Sequence, residues 1–457
     1  MQGKKNKMAQ MPMGKLVASV SLPLMVSLLV QSLYNIVDSI FVARLGEEAL
    51  TATSLAFPVQ MLMIAFSVGT SVGVNALLSR TLGAGNKEKA VQIANTGMVL
   101  AIVASLVFAA GGMFFSEQLV GLFTQTESTA ELCRIYLSIC MTFCIGNFVE
   151  TMAQRYLQAA GLTHLSMCSL VSGAVTNIIL DPIMIFGYLG FPAMGIRGAA
   201  IATVIGQWVG AVVALVLNRL CNPAVTLNFR GFRINGEIVK GIYKVGLPNI
   251  ITQAVGSLMV SSVNKILLPV SSTAVAFFGV YYKLQSFLFM PINGLGQAAI
   301  PIVGFNLGAK NPARIRACLK CILPAAIGIA LTGTAVFQLM PRQLLMLFSA
   351  GEEMLAIGVP GLKTISCTFV FAAVTVIMGY SASGLGYGIT TMVSALLRQM
   401  VILIPSIWLL SRYGGIQTAW YAMWIAEGIA VIFAVWSLRR QLNRKVRPLE
   451  EMTAAKH

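Results

Sequence analysis

Apolar residues run along this chain in twelve blocks separated by short polar stretches. A helix that crosses a bilayer needs about 20 mostly apolar residues. The blocks cover roughly 16–42, 51–77, 91–115, 132–158, 165–189, 196–218, 244–269, 274–303, 317–340, 361–385, 388–411 and 415–438. They are too long for strands and do not alternate polar with apolar, so each is predicted to be a spanning helix, the form whose backbone groups satisfy one another in lipid. We number them spans 1 to 12.

Composition agrees. The 457 residues are 57% hydrophobic and 10% charged, against about 25% charged in an ordinary soluble domain. The net charge of +17 could suggest nucleic acid, but its distribution excludes that partner. The bases gather in alternate loops: Lys4, Lys5, Lys7 and Lys15 at the start, Arg80, Lys87 and Lys89 after span 2, Arg219, Arg230 and Arg233 after span 6, Lys310, Arg314 and Arg316 after span 8, and Arg439 to Arg447 at the end. The opposite loops carry acids, Glu47, Glu48, Glu117, Glu127, Glu352 and Glu353. The positive-inside rule then puts both termini in the cytoplasm, as an even number of spans requires, and the chain in the plasma (inner) membrane with the bilayer as its surroundings. The opening "MQGKKNKMAQMPMGK" has no small-residue cleavage site after the first apolar run, so span 1 is expected to be retained.

The chain repeats itself. "SRTLGAGNKEKA" from Ser79 and "GFNLGAKNPARI" from Gly304 both follow an apolar run and open a basic loop. Leu82-Gly83-Ala84 meets Leu307-Gly308-Ala309 at an offset of 225, as do Leu22-Pro23 with Leu247-Pro248 and Gly69 with Gly294. Gly161 meets Gly384 and Pro182 meets Pro405 at 223, and Gly195-Ile196 meets Gly415-Ile416 at 220. An ordered series with a nearly constant offset marks two copies of a six-span unit. Six is even, so the copies are parallel, as in secondary transporters that rock two halves about a site near the midplane. The expected divisions are a basic tail 1–15, an N-lobe 16–221, a cytoplasmic linker 222–243, a C-lobe 244–438 and a second basic tail 439–457.

Charged residues inside the spans are the candidate chemistry. Gln31, Tyr34, Asn35 and Asp38 recur at helical spacing in span 1 and form one polar stripe. Asn177 and Asp181 in span 5 stand four apart and share a face. An ionised carboxylate at the bilayer centre costs at least about 3 kcal/mol, so it must be paired, wet, coordinated or protonated. Two facing carboxyls would hold a proton between them, and carboxylate and amide oxygens together would equally suit an alkali cation. The choice between H⁺ and Na⁺ stays open, as does the plainer reading that Asp38 and Asp181 only tie helices together. Pro182 removes a backbone donor beside Asp181 and is expected to bend the helix there. Glu150 in span 4 could join this site, while Arg155 reads as structural.

The second half offers Lys265 in span 7, Lys283 in span 8 and Arg398 in span 11, with Glu427 in span 12 as counter-charge. These could form a salt-bridge cluster, receive an anionic group of a substrate, or in part reach out to the interface. The pair "CLKC" (Cys318, Cys321) lacks a second pair or a nearby histidine, so no zinc or redox site is expected. No metal triad, no D-D-x-x-D run and only two histidines, His164 and His457, argue against an enzyme, and no G-x-x-x-x-G-K-[ST] stretch argues against an ATP-driven pump.

Several stretches resemble the multidrug and toxic compound extrusion (MATE) family of cation-coupled antiporters. They are "LYNIVDSIFVARLGEEALTA", "LGAGNKEKA", "NIILDPIMIFGYLGFPAMGIRGAAIATVIGQ" and "FGVYYKLQSFLFMPINGLGQAAIPIVGFNLGAKN", and the likeness spans nearly the whole chain. The resemblance implies twelve transmembrane helices in a V-shaped pair of six-helix lobes, a functional monomer, and export of organic cations and other amphipathic small molecules against inward H⁺ or Na⁺, with no other cofactor. It also implies coupling at Asp38 and at the N-x-x-x-D pair Asn177 and Asp181, with Gln31 and Tyr34 at the accompanying polar positions. Spans 7 and 10 lack the acids that another branch of the family uses. The alternative is a lipid-linked saccharide flippase of the same superfamily, with Lys265, Lys283 and Arg398 lining a cationic cavity.

Overall fold

The computed structural model of the chain describes residues 7–121, 127–348 and 350–454; Lys4, Lys5 and His457 fall outside them. There is no strand among the described residues. The first half contains α1 (Met13–Ala43), α2 (Glu47–Gly83), α3 (Lys87–Phe114), α4 (Glu127–Thr142), α5 (Ile145–Ala159), α6 (Thr163–Phe186) and α7 (Ile196–Cys221). The second contains α8 (Gly236–Leu267), α9 (Ser272–Gly308), α10 (Pro312–Leu339), α11 (Glu352–Ser366), α12 (Phe369–Gly384), α13 (Gly388–Leu396), a π-helical segment Leu397–Ile402, α14 (Leu403–Gly414), α15 (Ala422–Lys445) and α16 (Arg447–Ala454). Among the described residues ten helices are long and apolar enough to cross a membrane, and twelve if the bent pairs α4–α5 and α11–α12 each count as one span.

Two of the expected spans, 132–158 and 361–385, are bent. The axes turn by 46° between α4 and α5 and by 50° between α11 and α12. Neither break holds a proline or glycine. At the second, the carbonyls released by the turn are taken by side chains of α10: Gln338 Nε2 donates to Lys363 O, and Thr334 Oγ1 donates to Ser366 O, at 2.6 and 2.9 Å. A helix kinks at low cost where its orphaned acceptors find new donors. The breaks fall at Thr142–Ile145 and Ser366–Phe369, so the bend belongs to the repeated unit.

The repeated Leu-Gly-Ala turn has a local cause. In the first copy Asn86 N donates to Thr81 O, and in the second Asn311 N donates to Asn306 O, the six-residue closure that ends a helix. The next helix is then capped by the same asparagine, whose side chain accepts from Lys89 N at 2.9 Å and from Arg314 N at 3.2 Å. The closure needs a left-handed residue. Gly85 supplies it with φ +76°, and Lys310 stands at the matching place with φ +52°.

Contacts divide the chain into two compact units. One is Leu22–Ile250; the other joins the described residues before Leu22 to those after Ile250. Residues 222–250 go with the first unit for identifiable reasons. Asn222 Nδ2 donates to Tyr156 O at 3.3 Å and Asn228 N to Asn95 Oδ1 at 3.1 Å, while the Asn95 amide donates back to Asn228 O. Gly73 lies so close to Ile242 O that a Cβ would sit 2.2 Å from it. The leading segment goes with the second unit because Arg314 Nη2 donates to the carbonyls of Met8 and Met11, at 3.0 and 2.9 Å.

The left-handed region costs a side-chain-bearing residue about 1–2 kcal/mol. Lys310→Gly is therefore expected to raise the melting temperature of the purified protein and Gly85→Lys to lower it. An unchanged midpoint in both would show that the turn carries no strain.

Candidate functional site

The first unit buries two of the candidate residues, Asn177 and Asp181, side by side on one helix. That helix, α6, packs closely on α7 because glycines meet: a Cβ on Gly206 would lie 2.8 Å from Gly173 O, and one on Gly173 the same distance from Gly206 O. That approach puts Asn177 and Asp181 of α6 beside Thr203 of α7. Asn177 Nδ2 donates to Asp181 Oδ1 at 3.2 Å and reaches Thr203 Oγ1 at 3.5 Å. Asp181 is wholly buried and Asn177 nearly so. Asp38 arrives from α1, half-buried, with its carboxyl in side-chain contact with that of Asp181. Three oxygens at the centre, Asp38 Oδ1, Asn177 Oδ1 and Asp181 Oδ2, are sealed from solvent and have no hydrogen-bond partner. Buried acceptors left unmatched are costly, and a proton or a hard cation would satisfy such oxygens.

Other groups adjoin the pair. Tyr34 of α1 lies within electrostatic reach of Asp38, Glu150 and Asp181. Tyr136 and Cys140 of α4 are near Asp38 and hydrogen-bond with Gln60 of α2. Gln60, Tyr136, Cys140 and Thr203 carry no charge, so nothing in their apolar runs singled them out in the sequence. Glu150 of α5 accepts from Gln154 Nε2 at 3.0 Å and rests against Gly210, where a Cβ would lie 2.3 Å from its carboxyl. Gln31 is half-buried on α1, and Asn35 of the predicted stripe is exposed. α6 runs through Pro182 to Phe186 as one continuous helix, so the expected bend at that residue does not interrupt it.

In the second unit the structure brings together two of the four candidate charges. Arg398 Nη1 stands 3.4 Å from Glu427 Oε1, with the side chains 20% and 9% exposed. Lys265 and Lys283 are exposed and reach no carboxylate among the described residues, so the fourfold cluster does not form. Arg398 belongs to the π-helical segment, and with Glu427 it lines a cavity of about 240 Å³.

The MatE family model matches the chain twice, over residues 23–183 and 248–409. The chain belongs to the MatE family, the multidrug and toxic compound extrusion transporters. One match falls within each of the two repeats read from the sequence. The chain is 24% identical to the multidrug export protein MepA of Staphylococcus haemolyticus strain JCSC1435 over 432 residues, 93% of each chain. It is 25% identical to an FAD transporter of Shewanella oneidensis over 415 residues, 89% of this chain and 90% of that one. Among solved structures, a multidrug resistance MATE family transporter in an outward-facing conformation superposes with a TM-score of 0.90 at 24% identity, covering 99% of this chain and 100% of that chain. A MOP superfamily transporter from Pyrococcus furiosus superposes at 0.89, also at 24% identity, covering 98% and 99%. The chain is thus a multi-pass membrane transporter of small molecules with the family's all-helical fold.

Breaking a buried ion pair from one side costs about 3–5 kcal/mol, because the remaining charge is stranded. Arg398→Gln is expected to lower the melting temperature of this transporter in detergent, and adding Glu427→Gln to restore most of the loss. Equal loss in the single and double variants would show that the two charges are not coupled.

Proposed function

We propose that the chain is a secondary antiporter that exports organic cations or amphipathic drugs and metabolites in exchange for inward H⁺ or Na⁺, with coupling at Asp38, Asn177 and Asp181. The observation that carries the proposal is the set of three sealed, unpartnered oxygens on those residues. A proton would bridge the two carboxyls; Na⁺ would be held by the same oxygens, with Thr203 Oγ1 beside them. Either neutralises charge that the bundle otherwise holds at the expense of several kcal/mol, so occupancy biases which packing of the helices is favoured. Tyr34 and Glu150 border the site and would feel its charge. The alternating bases of the loops support cytoplasmic termini in the plasma (inner) membrane, and the site lies within one chain, which supports a monomer as the working unit.

A lipid-linked saccharide flippase with a cationic cavity is less well supported. Lys265 and Lys283 do not line the cavity that Arg398 shares with Glu427, so the basic set expected for such a cavity is not assembled there.

Efflux of ethidium from cells expressing the chain tests the proposal, beside an Asp181→Asn version, across a pH series with and without Na⁺. Wild type is expected to export. The isosteric variant is expected to fall at least tenfold while keeping its expression level. Dependence on Na⁺ at fixed pH names Na⁺, and dependence on pH alone names H⁺. Export by Asp181→Asn equal to wild type removes the coupling role from this site.

A further inference from the structure

The repeat sets Asp181-Pro182 of the first half against Ile404-Pro405 of the second. The acid is lost there, and Val263 stands where span 7 would repeat Asp38. Charge has instead entered one turn and a half earlier, on Arg398, where the helix widens into π geometry over Leu397–Ile402. Such insertions re-aim side chains and are frequent at functional sites.

The ion pair there is poorly suited to a purely structural role. An arginine bound to a carboxylate for stability usually makes two parallel hydrogen bonds at about 2.7–2.9 Å. The closest approach of Arg398 to Glu427, Nη1 to Oε1, is 3.4 Å. Glu427 Oε2 is sealed from solvent without a partner. Arginine has five donors in a planar fork and keeps its charge at any working pH, so most of the donors of Arg398 remain to be used. Its side chain is one-fifth exposed, and the cavity it lines is walled by rings and amides: Phe278, Tyr282 and Phe289 on one hand, Gln285 and Asn293 on the other. Asn293 is held in place, its Oδ1 accepting from Tyr380 Oη at 3.3 Å. A cavity of about 240 Å³ is below the 300–1,000 Å³ of sites that enclose a whole drug-sized ligand, so it fits one end of such a molecule.

We propose that this cavity is a subsite for the oxyanion end of an aromatic, amphipathic substrate, whose carboxylate or phosphate takes both arms of the Arg398 fork while its ring lies among Phe278, Tyr282 and Phe289. Glu427 holds Arg398 when the subsite is empty and yields it when the substrate arrives. The inference rests on the reading of the chain as an exporter of amphipathic compounds, and it names the acidic aromatic members of that class as those that engage the second unit.

The test is binding to the purified full-length protein in detergent, with no ion gradient, by calorimetry. The probes are 2-naphthoate, 2-naphthyl phosphate and the uncharged 2-naphthamide. Wild type is expected to bind one or both oxyanions about tenfold or more tightly than the amide, the value of a charge-assisted pair; which one is preferred separates carboxylate from phosphate. Glu427→Gln, which frees Arg398, is expected to bind the oxyanion more tightly still. The double variant Arg398→Gln with Glu427→Gln, which keeps shape and removes both charges, is expected to bind all three probes alike. No binding, equal affinity for the three probes in wild type, weaker oxyanion binding by Glu427→Gln, or a preference that survives the double substitution overturns the proposal. Binding needs no gradient, so failed ethidium efflux with an intact preference would remove the antiport reading and leave the subsite standing. Efflux without the preference would do the reverse.

Discussion

Asp181 is the wholly buried acid on which the candidate site of the first unit depends. A carboxyl wholly enclosed among helices has no water to satisfy it, and it receives one amide hydrogen bond, from Asn177. Its second oxygen is left over, beside two more from Asp38 and Asn177. That arrangement persists only because the neighbours cannot relax away from it. The glycine contact between α6 and α7 sets Asn177 against Thr203. The unmatched oxygens therefore belong to the packing of these helices and not to any one side chain.

The second unit shows what happens when the same plan is released from that constraint. Its bent span, its helix-ending turn and its capping asparagine all follow the first copy. The buried acids do not. In their region stands a matched pair, Arg398 and Glu427, set in a widened helix beside a ring-lined cavity. Duplication kept the backbone devices, which depend on local geometry, and left the polar contents of the two bundles free to diverge.

Much of this was legible in the chain. Twelve apolar runs, the offset of about 225 residues and the spacing of Asp38, Asn177 and Asp181 need only composition and period to be seen. What escaped were features decided by contact between distant segments. The bend at Ser366 depends on Gln338 and Thr334, more than 25 residues earlier, so an apolar run without proline gave no sign of it. Gln60 and Thr203 reach the site from helices whose rotation the sequence leaves undetermined. The same uncertainty grouped Lys265 and Lys283 with Arg398: all three are basic residues in apolar runs, but only the last faces inward.

One contact bears on how the protein comes to be made. Arg314 clasps the carbonyls of Met8 and Met11, and the leading segment packs with the second half of the chain, not with the half that follows it directly. In order of synthesis, Met8 waits for an arginine 306 residues downstream. Contacts so far apart along a chain form late. A segment made early is thus among the last to be secured, and the clasp closes only on a chain whose second repeat has already begun to assemble.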